Sequence, residues 1–180
     1  MAFNIDKNFS VTAAKNFILP VLKKIFGGSA FSIEFDNSKV ARALDSAGTD
    51  IILLCDEKVF GVNSRCFHWQ GDYPKTFTIR RTRHGSPAEF FIIKEGMKFG
   101  GLTPKFFAQC YSKENLAQVA VIPTAELFNF IRRNNPPVRQ NGDVEFYCVR
   151  WRDLLPSSAI EVWQVENDIF WRLTPKKITL

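Results

Sequence analysis

Asp50, Asn63 and Arg65 are the residues of this sequence whose types and spacing suit a chemical site. A carboxylate is a hard ligand for a divalent cation, an amide carbonyl can add a neutral oxygen, and a guanidinium can grip a phosphate through paired N–H donors. Together they can converge on one metal ion and one phosphate. Convergence needs a scaffold, and the surrounding segment supplies one. Ile51 to Leu54 is an apolar run, Asp56-Glu57-Lys58 is a polar turn, and Val59 to Val62 is a second apolar run. That pattern predicts two strands joined by a turn. Asp50 then stands at the mouth of the first strand. Asn63 and Arg65 leave the second on one face, because strand side chains alternate with a period of two. Glu34 and Asp45 are the acids upstream that can join Asp50, with Glu34 the candidate further metal ligand. Glu89, the next acid after the basic strand, is read as lying outside the site.

The flanking elements follow from local pattern. Ser10 can cap a helix whose apolar positions, Val11 to Ile25, fall on one stripe. Pro20 either kinks that helix or begins a second one, and Gly27-Gly28 ends it. Phe31 to Phe35 alternates as a short strand, and Lys39 to Leu44 suits one or two helical turns. Thr76 to Arg80 has strong β propensity. Pro87 to Lys94 is ambiguous, with Phe90-Phe91-Ile92-Ile93 tipping it towards a strand. Lys105 to Tyr111 and Val119 to Ile122 read as strands about a turn, and Thr124 caps a helix that runs to Arg133. After Val144 the texture changes to short aromatic-rich strands, in which Trp151, Trp163 and Trp171 are core or sheet-face residues, or else a stacking platform for bases.

A length of 180 residues fits one domain with a real core, and 46% hydrophobic residues with eighteen Phe exclude a disordered chain. No apolar run approaches the ~20 residues needed to span a bilayer. Met1 to Lys7 lacks the order of a secretory signal, so the expected location is the cytoplasm. Cys55, Cys66, Cys110 and Cys148 are widely spaced and form no Cys-x-x-Cys pair, which predicts free thiols. The net charge is +6. Most of the excess lies between Lys75 and Lys105, where seven basic residues face Glu89 and Glu95. A concentrated basic tract suits a polyanion, since each cation brought to a phosphate releases counterions. Arg80, Arg81, Arg83, Lys94, Lys98 and Lys105 are therefore the candidate nucleic-acid-binding residues.

The order of elements resembles the restriction-endonuclease-like fold of the PD-(D/E)XK nuclease superfamily. Gly48-Thr49-Asp50-Ile51-Ile52-Leu53-Leu54 matches the strand that opens with a metal-binding acid. Gly61-Val62-Asn63-Ser64-Arg65 stands where that superfamily shows Gly-Val-Gln-x-Lys, and Val119 to Phe128 is similar to its late strand and helix. The resemblance covers Ser10 to Arg133. It implies an α/β fold: a mixed sheet flanked by helices over residues 1–135, with a short aromatic-rich β extension over 136–180 packed on the same domain. It also implies a nucleic-acid-binding protein of nuclease-like fold, a Mg²⁺-dependent phosphodiesterase acting on DNA if chemistry is retained. Asp50, Asn63 and Arg65 would be its catalytic set, and Asp50, Asn63 and Glu34 its metal ligands. Asn63 brings no charge to the metal, and Arg65 cannot release a proton at neutral pH to act as a base. The site is therefore degenerate. The alternative class is a non-catalytic protein-interaction module, a subunit or a phage-encoded inhibitor, using the aromatic strands after Val144.

Overall fold

The computed structural model of the chain describes residues 2–32, 39–71, 74–98, 103–156 and 160–174. Helix α1 (Ala2–Ala13) passes through one π-helical turn (Ala14–Ile18) into α2 (Leu19–Phe26). The helix starts well before Ser10, which is an interior residue rather than the expected cap. Pro20 lies in the first turn of α2, where its missing N–H costs no hydrogen bond, and the π turn absorbs the break. Gly27 ends α2 with φ of 71°.

β1 (Ser29–Ser32) begins earlier than the expected Phe31 to Phe35, of which residues 33–35 lie outside the described residues together with 36–38. Helix α3 (Lys39–Ser46) then leads to the hairpin of β2 (Ile51–Cys55) and β3 (Lys58–His68). β3 does not end at Val62 but runs on to His68. β4 (Thr76–Arg83) and the short β5 (Ser86–Pro87) follow. The stretch read as a strand is instead helix α4 (Glu89–Lys98). Phe90 and Ile93 are buried on its inner side while Ile92 is 49% exposed, so a helix needs to bury only one stripe of the apolar run. β6 (Pro104–Lys113), β7 (Leu116–Pro123) and α5 (Thr124–Asn134) come next. β8 (Val138–Asn141), β9 (Val144–Arg150), α6 (Trp151–Leu154), β10 (Glu161–Glu166) and β11 (Ile169–Arg172) complete the order. Trp151 opens α6 rather than closing β9, and is buried. Trp163 is partly buried against the core, and Trp171 is exposed.

The chain is a mixed α/β protein whose large sheet is flanked by helices. Among the described residues that sheet has seven strands in the order β1-β2-β3-β6-β7-β10-β11, and a second has four in the order β5-β4-β9-β8. Every pairing is antiparallel except β3 with β6. The segment after Pro136 enters both sheets: β9 pairs with β4, and β10 pairs with β7. Among the described residues no helix is long and apolar enough to cross a membrane.

The large sheet is buried on both faces, which is why β6 and β7 carry nearly continuous apolar sequence. Against one face pack Ile18, Val21 and Leu22 of the N-terminal helices, meeting Ile51, Leu53, Val62, Phe106, Ala108 and Val119. Against the other pack the second sheet, α4 and α5, through Phe77, Ile79, Phe90, Ile93 and Leu127 onto Phe107, Ala120 and Ile122. Val62 and Cys66 belong to the first face, so the pleat turns Asn63, Arg65 and Phe67 to the second. Past Val62, β3 pairs with β6 alone among the described residues, because β2 is too short to follow it. That leaves one edge of β3 open beside α4 and β4.

Candidate functional site

Register places the first two residues. Ile51 pairs with Val62, and the Asp50 N–H donates to the Val62 carbonyl at 2.9 Å. Continued by one residue, this register sets Asp50 opposite Asn63. Asp50 Oδ2 accepts the Ser64 N–H at 2.6 Å on the open edge of β3. The entry to Asp50 is fixed by the turn after α3, where Gly48 has φ of 81°.

Asn63 is 3% exposed. Its Nδ2 donates to the Gly48 carbonyl and to Glu89 Oε1, each at 2.8 Å. Both partners only accept, so the amide has one satisfactory orientation. Its Oδ1 is then buried with no hydrogen-bond donor facing it. Glu89 lies in the first turn of α4 and gathers the rest of the cluster. Its Oε2 accepts the Arg80 backbone N–H at 2.9 Å and forms an ion pair with the Arg65 guanidinium. The Arg65 and Glu89 side chains are 15% and 10% exposed, which places this pair beyond the weak surface class. Arg65 also lies 6.0 Å from the centre of the Phe146 ring.

These groups line one cavity of about 940 Å³, with Asp45, Gly48 and Ser64 on one side and Arg80, Arg83 and Ser86 on another. Arg80 reaches solvent at the rim. Desolvation of its guanidinium, and then the neighbouring Arg65, pull its pKa below the usual arginine value, while Glu89 and Asp50 act in the opposite direction. Arg80 still carries its charge at neutral pH. Asp45, Asp50 and Glu89 thus face Arg65, Arg80 and Arg83. Balanced lining of this kind suits a ligand that itself carries both signs, such as a phosphodiester with its counter-ion.

Sequence reasoning set Glu89 outside the site, and the structure puts it at the centre. The signal was the ambiguous stretch itself: Pro87 with an acid two residues on is how many helices begin, and that reading brings Glu89 to a helix N-terminus beside β3. Glu34 lies outside the described residues. Arg80 and Arg83 line the cavity, whereas Arg81 points elsewhere, donating to Glu145 at 3.3 Å and lying over Tyr147. Lys94, Lys98 and Lys105 are exposed outside the cavity lining, and Lys98 pairs with Glu95 at 2.8 Å.

A divalent cation finds a partial ligand set here. Among the described residues no three His, Cys, Asp or Glu side chains group closely enough to hold one. Asp50 and Asn63 stand opposite each other in register and Asn63 Oδ1 faces no donor, a pair of oxygens that would suit an ion taking one or two protein ligands and completing its shell with water and phosphate. No family model, curated protein or solved structure matches the chain.

Proposed function

We propose that the protein binds nucleic acid and seats one backbone phosphate in the cavity between β3, β4 and α4, on a fold of the restriction-endonuclease-like class. The observation that supports it is the meeting of Asp50, Asn63, Arg65, Arg80 and Glu89 in one cavity at the open edge of β3. Arg65 and Arg80 supply donors for the phosphate oxygens. Glu89 holds Arg65 in place and so orients it before any ligand arrives. Asp50 and Asn63 Oδ1 would hold Mg²⁺, which when bound polarises the phosphoryl oxygens. One carboxylate, Asp50, and one neutral amide oxygen make a weak ligand set by themselves, so the ion would enter together with the phosphate, and binding precedes any hydrolysis. Arg65 stays protonated and serves as a phosphate grip, not as a base.

The test is anisotropy of labelled single-stranded and duplex DNA and RNA, in EDTA and in Mg²⁺, with a salt titration, and a cleavage assay in Mg²⁺ or Mn²⁺. Binding that weakens steeply as salt rises from about 50 to 200 mM supports the reading. No binding at low salt to any of these polymers sinks it. Cleavage lost in Asp50→Ala assigns chemistry to Asp50. No cleavage by either folded protein makes the fold a binding scaffold.

A second reading has its own observation. Ile169, Trp171 and Leu173 are exposed on and just after β11, the last strand of the large sheet among the described residues. An apolar edge of this kind suits strand addition by a protein partner.

A further inference from the structure

A second cavity, of about 670 Å³, adjoins the first and shares Ser10, Cys66 and Phe67 with it. It lies further along β3 and is lined by Phe67, His68, Trp69, Lys75 and Tyr111. The strand alternation that sends Asn63 and Arg65 to the phosphate pocket sends Phe67 the same way. Trp69 comes next in step, with pairing continued by the Trp69 N–H to the Ser112 carbonyl at 2.8 Å. One face of one strand thus presents amide, guanidinium, phenyl and indole in series.

The rings are held before any ligand arrives. Trp69 Nε1 donates to the Gly71 carbonyl at 3.2 Å, and the Lys75 ammonium lies 3.9 Å from the centre of the indole. Phe67 stacks on Tyr111 with centres 5.3 Å apart, and Tyr111 is itself fixed by hydrogen bonds to Thr76. His68 stacks on Phe9 at 3.6 Å. At the rim, the side-chain amides of Gln70 and Asn141 add donors and acceptors. The size falls in the range of small-ligand sites. Flat rings in a cleft beside a cation are what an unstacked nucleobase requires, and a paired base cannot enter such a cleft.

We propose that this aromatic cleft takes a nucleobase of a single-stranded polynucleotide whose neighbouring phosphate sits against Arg65 and Arg80. The proposal rests on the phosphate reading above and adds the substrate class: a single strand, a frayed end or a flipped nucleotide, rather than an intact duplex. Lys75 stands where it can meet the next phosphate along.

The experiment compares the 180-residue chain's affinity for a short intact single strand and for an abasic strand of equal length, in DNA and RNA series, with duplex as the third ligand. The intact strand should bind roughly tenfold tighter than the abasic one, the scale of one base stacked on an aromatic ring. Trp69→Ala should bring the ratio of intact to abasic affinity down to about one, while Trp69→Phe, which keeps a π face, should retain most of the gain. A 2-aminopurine in the intact strand should lose fluorescence on binding the wild type and Trp69→Phe only. A gain in either sugar series supports the proposal and names the strand. Equal binding of intact and abasic strands overturns it but leaves the phosphate reading standing, as does a gain that survives Trp69→Ala. Binding of neither strand overturns both.

Discussion

Asn63 Nδ2 donates to Glu89 Oε1 at 2.8 Å, and this contact joins β3 to the first turn of α4 across 26 residues of sequence. Together with the second Nδ2 bond, to Gly48, it ties three separate segments to one amide. The polar cluster is therefore both a part of the core's edge and the lining of the cavity. Changes to it should register in stability as well as in binding.

Glu89→Ala strands three donors at once: Asn63 Nδ2, the Arg65 guanidinium and the Arg80 N–H. The expected loss of stability is about 3 kcal/mol, as for removing one partner of a largely buried ion pair. Glu89→Gln keeps an acceptor and should lose less. With one negative charge fewer, it should also bind nucleic acid more tightly in EDTA. Urea unfolding midpoints and anisotropy check both, and a Glu89→Ala variant as stable as the wild type contradicts the clamp.

Neighbouring arginines on β4 should behave differently. Arg80→Glu with Arg83→Glu should weaken binding and reduce the slope of log affinity against log salt by roughly one for each phosphate that is no longer neutralised. Arg81→Ala should leave both unchanged, since Arg81 is engaged with Glu145 and Tyr147 outside the cavity. Its stability cost should stay within about 1 kcal/mol, because the pair is well exposed. Equal effects of the two changes would place the binding surface elsewhere.

Gly48→Ala tests the turn that delivers Asp50. At φ of 81° any added side chain is strained, and a Cβ there would lie 2.9 Å from Ile93 Cδ1. The expected cost is about 1–3 kcal/mol, and the strained turn should loosen the hydrogen bond that Asn63 Nδ2 donates to the Gly48 carbonyl. A thermal midpoint unchanged from the wild type would show that the turn relaxes freely.

Burial raises the pKa of Tyr111, with hydrogen bonds to Thr76 acting against it. Below about pH 10 the phenol is neutral in both folded and unfolded chains and its burial is undisturbed. As the pH rises past that value the unfolded chain ionises first, so stability falls until the folded pKa is passed. Tyr111→Phe should cost about 1 kcal/mol at neutral pH through the lost hydrogen bonds and should flatten the alkaline decline. Cys55 and Cys148, whose thiols are also raised by burial, contribute a fall that begins lower and is common to both proteins. Urea midpoints from pH 8 to 11 separate the two; an identical decline in wild type and variant would remove Tyr111 as its source.

Much of the scaffold is determined locally. The two apolar runs Ile51 to Leu54 and Val59 to Val62, about a turn that accepts positive φ at Asp56 and Glu57, are enough to specify the hairpin. The apolar stripe Leu127, Phe128 and Ile131 specifies α5, in which Thr124 is the first residue rather than the expected cap, its hydroxyl donating to the Pro104 carbonyl. Period-two geometry also places Asn63 and Arg65 on one face, since nothing but the pleat is required. Other features depend on what the chain meets. Phe90-Phe91-Ile92-Ile93 can satisfy a strand or a helix. The choice falls to helix because one stripe, Phe90 and Ile93, fits against Phe128, Leu127 and Phe77, whereas a sheet would bury both sides of the run. That choice brings Glu89 to Arg65. The separation of Arg80 and Arg83 from Arg81 is likewise tertiary, since all three are equal in charge and differ only in what β9 and α4 set beside them. Sequence by itself determined which groups were present and which neighbours along a strand shared a face. Long-range packing decided which charges met, because ion pairing depends on distances between segments that no local pattern encodes.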